Sequence, residues 1–175
     1  MRVFSAVVFG LLLSVTALGK TIEVKMLNNG VDGMMVFEPA FVRADVGDTV
    51  KFVLTDQAHA SSSVFTPDGA KTWAGEINQG VSTVVDKEGV YIYECLPHAA
   101  LAMVGVIQAG NATNVEAAKK FATTYAKKFA ANGERLEKYL AMAGPSAKTK
   151  AGYKSSGSGG DGKTKKKKKR RKKRG

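Results

Sequence analysis

The chain has 175 residues, room for one modest domain with appendages. Its 27 lysines and arginines against 15 acids give a net charge of +12, which taken whole suggests a nucleic-acid binder. The distribution argues otherwise: 11 basic residues and no acid lie between Lys163 and Arg174, while residues 20–162 carry 15 of each sign. One cysteine, Cys95, excludes an intrachain disulfide, a CxxC redox pair and a four-cysteine metal cluster, and two histidines, His59 and His98, exclude any three-histidine site.

Residues 1–19 read as an export signal. Arg2 precedes an apolar run, and Ala17-Leu18-Gly19 offers small residues at a cleavage site before Lys20. The competing reading is a membrane anchor, but the apolar stretch has 16 residues, short of the roughly 20 a spanning helix needs.

Residues 20–110 follow a β pattern. Ile22, Val24 and Met26 alternate with polar residues, and Val50, Phe52 and Leu54 repeat the alternation after Gly47-Asp48. Strands over 81–85 and 90–93 flank Asp86-Lys87-Glu88-Gly89, and a last strand spans 104–107. Short strands at this spacing predict a sandwich. This segment holds 6 basic and 11 acidic residues.

Residues 111–144 change period. Ala118, Ala122, Tyr125 and Phe129 form one helical stripe, with Thr113 or Asn114 as its cap. Asn132-Gly133 interrupts the pattern, and a second short helix presents Leu136, Tyr139, Leu140 and Ala143 before Gly144-Pro145. Both stripes are expected to pack on the sandwich. Residues 145–162 read as a flexible linker and 163–175 as a disordered polybasic tail. The tail has no aromatic residue for base stacking, so sequence-specific nucleic-acid recognition is not expected. Its charge suits an anionic membrane surface or an acidic partner, and a functionally neutral extension suits it equally. Asn111-Ala112-Thr113 matches the glycosylation sequon, which bears only on a eukaryotic secretory route.

The chemistry concentrates between Cys95 and Met103: a thiol, an imidazole three residues on at His98, and a thioether eight residues on. His59 follows the strand that ends near Leu54. Two imidazoles, one thiolate and a weak axial thioether make the donor set of a blue-copper electron-transfer centre. Singly, each residue also fits a plain role, with Cys95 and Met103 as core and His59 as a loop histidine.

Several stretches resemble the cupredoxins, the type 1 blue copper family, and among them the pseudoazurins. They are Met26-Leu27-Asn28-Asn29-Gly30, Met35-Val36-Phe37-Glu38-Pro39-Ala40, Gly47-Asp48-Thr49-Val50, Pro67-Asp68-Gly69-Ala70 and Met103-Val104-Gly105-Val106. The resemblance implies a mainly β fold, a Greek-key sandwich with two C-terminal helices. It implies one type 1 copper ion held by His59, Cys95, His98 and Met103, with Met35 near the exposed ligand histidine. It further implies a monomeric periplasmic carrier, not an enzyme, that docks redox partners over the His98 edge, a copper nitrite reductase or a c-type cytochrome among them. Copper storage or delivery without redox cycling fits the same ligands. Two departures stand out: Ala60 where the family has asparagine, and Leu96 where it has threonine. Such changes tune potential and stiffness more than metal identity.

Overall fold

A computed structural model describes residues 19–145. The signal segment (all but Gly19), the linker after Pro145 and the polybasic tail lie outside the described residues. Among the described residues no helix is long and apolar enough to cross a membrane.

Two four-stranded sheets face each other. One runs in the order β2 (Gly33–Glu38), β1 (Thr21–Gly30), β4 (Thr49–Leu54), β6 (Val81–Val84). The other runs β3 (Phe41–Ala44), β8 (Val104–Ala109), β7 (Gly89–Glu94), β5 (Ser62–Phe65). β1 pairs in parallel with β4 and β3 with β8, while the other pairings are antiparallel.

The period-2 alternation explains which side chains meet. Val24, Met26, Val50 and Phe52 of one sheet pack against Tyr91, Tyr93 and Ile107 of the other in a common core. The alternate residues of the second sheet, Val90, Ile92, Val104 and Val106, point outward and are buried as well. α1 (Val115–Tyr125) and α2 (Glu134–Leu140) cover them with Ala118, Ala122, Tyr125, Leu136, Tyr139 and Leu140. Apolar on both faces, β7 and β8 cannot stand at a wet surface, so the expected packing of both helical stripes on the sandwich is what the molecule shows.

Two local expectations need correction. Phe129 is not on the α1 stripe: the helix ends at Tyr125, a short 3-10 turn spans Ala126–Lys128, and Phe129 itself is extended. It still packs half-buried against the same cluster. Neither Thr113 nor Asn114 caps α1 with its side chain. Asn114 occupies the cap position, but its amide donates to the Val90 carbonyl and its Oδ1 accepts from the Val90 N–H at 2.7 Å, while the Thr113 hydroxyl donates to the Glu88 carbonyl. Cap residues that could have served their own helix tie it to β7 and the turn before it instead. Strands β2, β3 and β5 appear without having been anticipated.

Candidate metal centre

One end of the sandwich is built by connections that β4, β7 and β8 hold in place. The β7–β8 connection begins at Cys95 and makes a 3-10 turn over Leu96–Leu101, with Pro97 in its first turn. Backbone bonds close it on itself: Cys95 N–H donates to the Met103 carbonyl at 2.9 Å, His98 N–H to Cys95 at 3.0 Å, and Met103 N–H to His98 at 3.3 Å. The three residues at its corners are therefore fixed relative to one another by main chain alone.

His59 arrives from the other sheet, on the loop after β4, and is fully buried. Its Nδ1 lies 3.7 Å from Cys95 Sγ, and Nδ1 of His98 lies 3.5 Å from the same sulfur. Ligand atoms of His59, Cys95 and His98 all fall within 4.8 Å of one another. The two imidazole rings meet edge-on, centroids 4.9 Å apart. Met103 is fully buried in the same cluster as Cys95.

The second ring nitrogen of His59 explains its orientation. Nε2 lies 3.1 Å from Asn28 Oδ1, an acceptor, so Nε2 carries the proton and Nδ1 turns a free lone pair toward the sulfur. Asn28 is held in turn, its N–H donating to the Asp56 carboxylate at 2.7 Å. The loop is also pinned at Asn78, whose N–H donates to the His59 carbonyl at 2.8 Å and whose Oδ1 accepts from Ala58 N–H. Neither asparagine carries a recognisable spacing signal, because each acts across more than eighteen residues of chain.

Ala60, a departure from the family pattern, contributes through its backbone. Its N–H donates to Cys95 Sγ at 3.4 Å, a bond that needs no side chain. The Ser61 hydroxyl accepts from the Trp73 indole, and Ser63 exchanges bonds with the Trp73 backbone.

Burial tunes both kinds of donor. It pushes the His59 imidazole below its ordinary 6.5, with the neighbouring His98 adding to the effect and Asp56 opposing it. It pushes the Cys95 thiol above its ordinary 9.0, against the amides of Ala60 and His98. Below pH 6.5 the unfolded chain takes up a proton at His59 that the fold resists, and above pH 9.0 it releases a proton at Cys95 that the fold retains. These two groups therefore make the metal-free protein lose stability on both sides of that window. Denaturant titrations of the metal-free protein at a series of pH values should show both declines.

A buried thiol reluctant to ionise, faced by two imidazole nitrogens, suits a cation that replaces the thiol proton and accepts soft and borderline donors together. Such a donor set on a two-sheet Greek-key sandwich defines a cupredoxin, and the residues present fit copper.

Comparison with known proteins agrees. Residues 24–110 match the family model of copper binding proteins, the plastocyanin/azurin family. Pseudoazurin of Paracoccus pantotrophus is 42% identical over 112 residues, spanning 62% of this chain and 77% of that protein. Pseudoazurin of Methylorubrum extorquens is 38% identical over 128 residues, spanning 68% and 86%. The crystal structure of native pseudoazurin from Hyphomicrobium denitrificans superposes with a TM-score of 0.63 at 35% identity, covering 69% of this chain and 96% of that one. The chain belongs to the pseudoazurin family and is a type 1 copper electron-transfer protein.

Proposed function

We propose that His59, Cys95, His98 and Met103 hold the one copper ion, and that the protein carries single electrons between exported redox partners docking over the His98 edge. The observation that carries this reading is the convergence of both imidazole Nδ1 atoms on one buried sulfur, within 3.7 Å. Copper bound there supplies a Cu(II)/Cu(I) couple. The chain supplies the rest. Cys95 and Met103, fully buried, bring soft sulfur that suits the reduced ion, and the two imidazoles suit the oxidised one. A loop closed by its own backbone bonds resists the rearrangement that each oxidation state on its own would favour.

Exposure separates the two imidazoles. His59 is buried, whereas His98 is half-buried and reaches the surface among exposed Leu96, Pro97, Ala100 and Leu101. An apolar rim around a redox-active edge suits brief encounters, which need small interfaces that separate quickly. The family resemblance suggests a copper nitrite reductase or a c-type cytochrome as partner. The signal-like residues 1–19 support export to a periplasm.

A carrier exchanges electrons with its metal retained, whereas a storage or delivery protein surrenders the metal. Stopped-flow reduction and reoxidation of the copper-loaded protein should be fast and repeatable with no copper lost to a competing chelator. Copper loss in step with each reduction would overturn the carrier reading.

The polybasic tail is read as an electrostatic arm for an anionic surface. Gly144 exchanges hydrogen bonds with the Gln108 side chain near the end of β8. That point is five residues along the strand from Met103, about 17 Å at the usual rise per residue. The described chain thus leaves the sandwich at the pole remote from His98. Deleting residues 163–175 should remove binding to anionic vesicles at low salt, binding that high salt also suppresses in the full chain. Equal vesicle binding with and without the tail would dismiss the arm.

A further inference from the structure

The helical appendage does more than cover a sheet. The connector between α1 and α2 runs along the back of the β7–β8 loop and bonds to it repeatedly. Ala130 N–H donates to the Ala100 carbonyl at 2.7 Å, and Ala131 N–H donates to the same oxygen at 3.2 Å. The Asn132 side-chain amide donates to the Leu101 carbonyl at 3.1 Å. Arg135, on α2 and 5% exposed, completes the set. Its Nη1 donates to the carbonyls of both Leu101, at 3.3 Å, and Met35, at 3.2 Å, while Nη2 donates to the carbonyl of Asp32 at 2.8 Å.

These contacts flank two residues in an uncommon backbone conformation. Met35 and Ala102, neither of them glycine, sit in the left-handed region with φ of 50° and 53°. Such residues persist only where their surroundings over-determine them. One guanidinium nitrogen holds the carbonyl of Met35 and the carbonyl immediately before Ala102. The guanidinium is rigid and forked and makes these bonds without losing its charge, which a lysine cannot imitate in geometry. A positive group also suits the carbonyl end of the Leu96–Leu101 turn.

We infer that Arg135 is a positioning residue for electron transfer: it braces the ligand loop against the β1–β2 hairpin and so holds His98 and Met103 in place whether or not metal is bound. The inference rests on the proposed ligand set for its consequence, but the brace itself is testable without copper.

The test compares Arg135→Met, Arg135→Lys and, as a neighbouring control, Lys138→Met, whose ammonium pairs with Asp32 and touches no part of the loop. Amide hydrogen exchange of the metal-free proteins is followed at His98, Ala102 and Met103, all bonded within the loop, and at Tyr91 and Ile107 in the sheet. Removing a buried charged donor should raise exchange at the three loop amides about 10-fold or more in R135M. The sheet amides should be unchanged, and K138M should match the parent. In the copper-loaded proteins R135M should slow electron self-exchange and lower the reduction potential, because a buried positive charge favours the less positive ion. R135K should restore the potential more fully than the loop protection. Should R135M fail to fold, Asn132→Gly removes one brace while keeping the left-handed backbone at that position, where φ is 55°. Exchange rising equally in loop and sheet, or not rising in any folded variant, would overturn the inference. A normal brace in a protein that forms no coloured copper complex would refute the ligand set and leave the brace standing.

Discussion

Replacing Cys95 with serine is expected to abolish the intense visible absorption of the copper-loaded protein and to weaken copper binding more than loss of an outer partner would. Outer partners cost about 10–100-fold in affinity. The sulfur is the point on which both imidazoles converge, at 3.5 and 3.7 Å, and the Ala60 amide points at it. A hydroxyl is smaller and harder, and in this buried setting it would hold its proton more firmly than the thiol. The fold should survive. The side chain is one member of a large core cluster, and a buried hydroxyl lacking a good partner costs about 1–3 kcal/mol. Absorption spectra and metal competition, read beside thermal unfolding of the metal-free variant, separate lost ligation from lost structure. A serine variant that keeps the visible band would remove Cys95 from the centre.

The second large effect is structural. Gly105→Ala should destabilise the protein by about 3 kcal/mol, the upper part of the range for overpacking a filled core. Gly105 pairs across strands with Tyr93, and a Cβ there would lie 2.3 Å from the Tyr93 ring and hydroxyl. The ring cannot retreat. It is fully buried, packed edge-on against Phe37 and Phe52 at 4.8 and 4.9 Å, with its hydroxyl donating to the Ala40 carbonyl. Because β7 and β8 carry Cys95 and Met103 at their ends, displacement of this pair should also perturb the centre. Thermal unfolding should show a fall of roughly 10 °C. An unchanged melting temperature would mean that the core at this point is looser than its geometry indicates.

The candidate metal centre was legible in the sequence for a reason of scarcity. With one cysteine and two histidines in the chain, few sites were possible, and Cys95, His98 and Met103 are close enough in sequence for one short loop to gather them. The alternating strands β1 and β4 were equally plain. β2 was not, since Met34, Met35, Val36 and Phe37 form an apolar run with no period, and β3 and β5 have only four residues each. β5 is half-buried throughout and shows no alternation to read.

What escaped the sequence acts at long range. Asn28 reaches His59 across 31 residues, and Arg135 reaches Met35 across 100. A polar residue that serves a distant backbone carbonyl looks, in sequence, like any surface residue. Asn114 misled for the same reason: its position is right for a helix cap, but the better use of its amide lay on β7. The charge of +12 divides likewise, into a mildly acidic copper sandwich and a polybasic C-terminal stretch.

The most direct test of the central claim is the absorption spectrum of the full chain loaded with Cu(II). A buried thiolate on copper, flanked by two imidazoles, predicts one intense thiolate-to-copper band toward the red end of the visible range, bleached on reduction and restored on reoxidation. A colourless Cu(II) form would contradict the account.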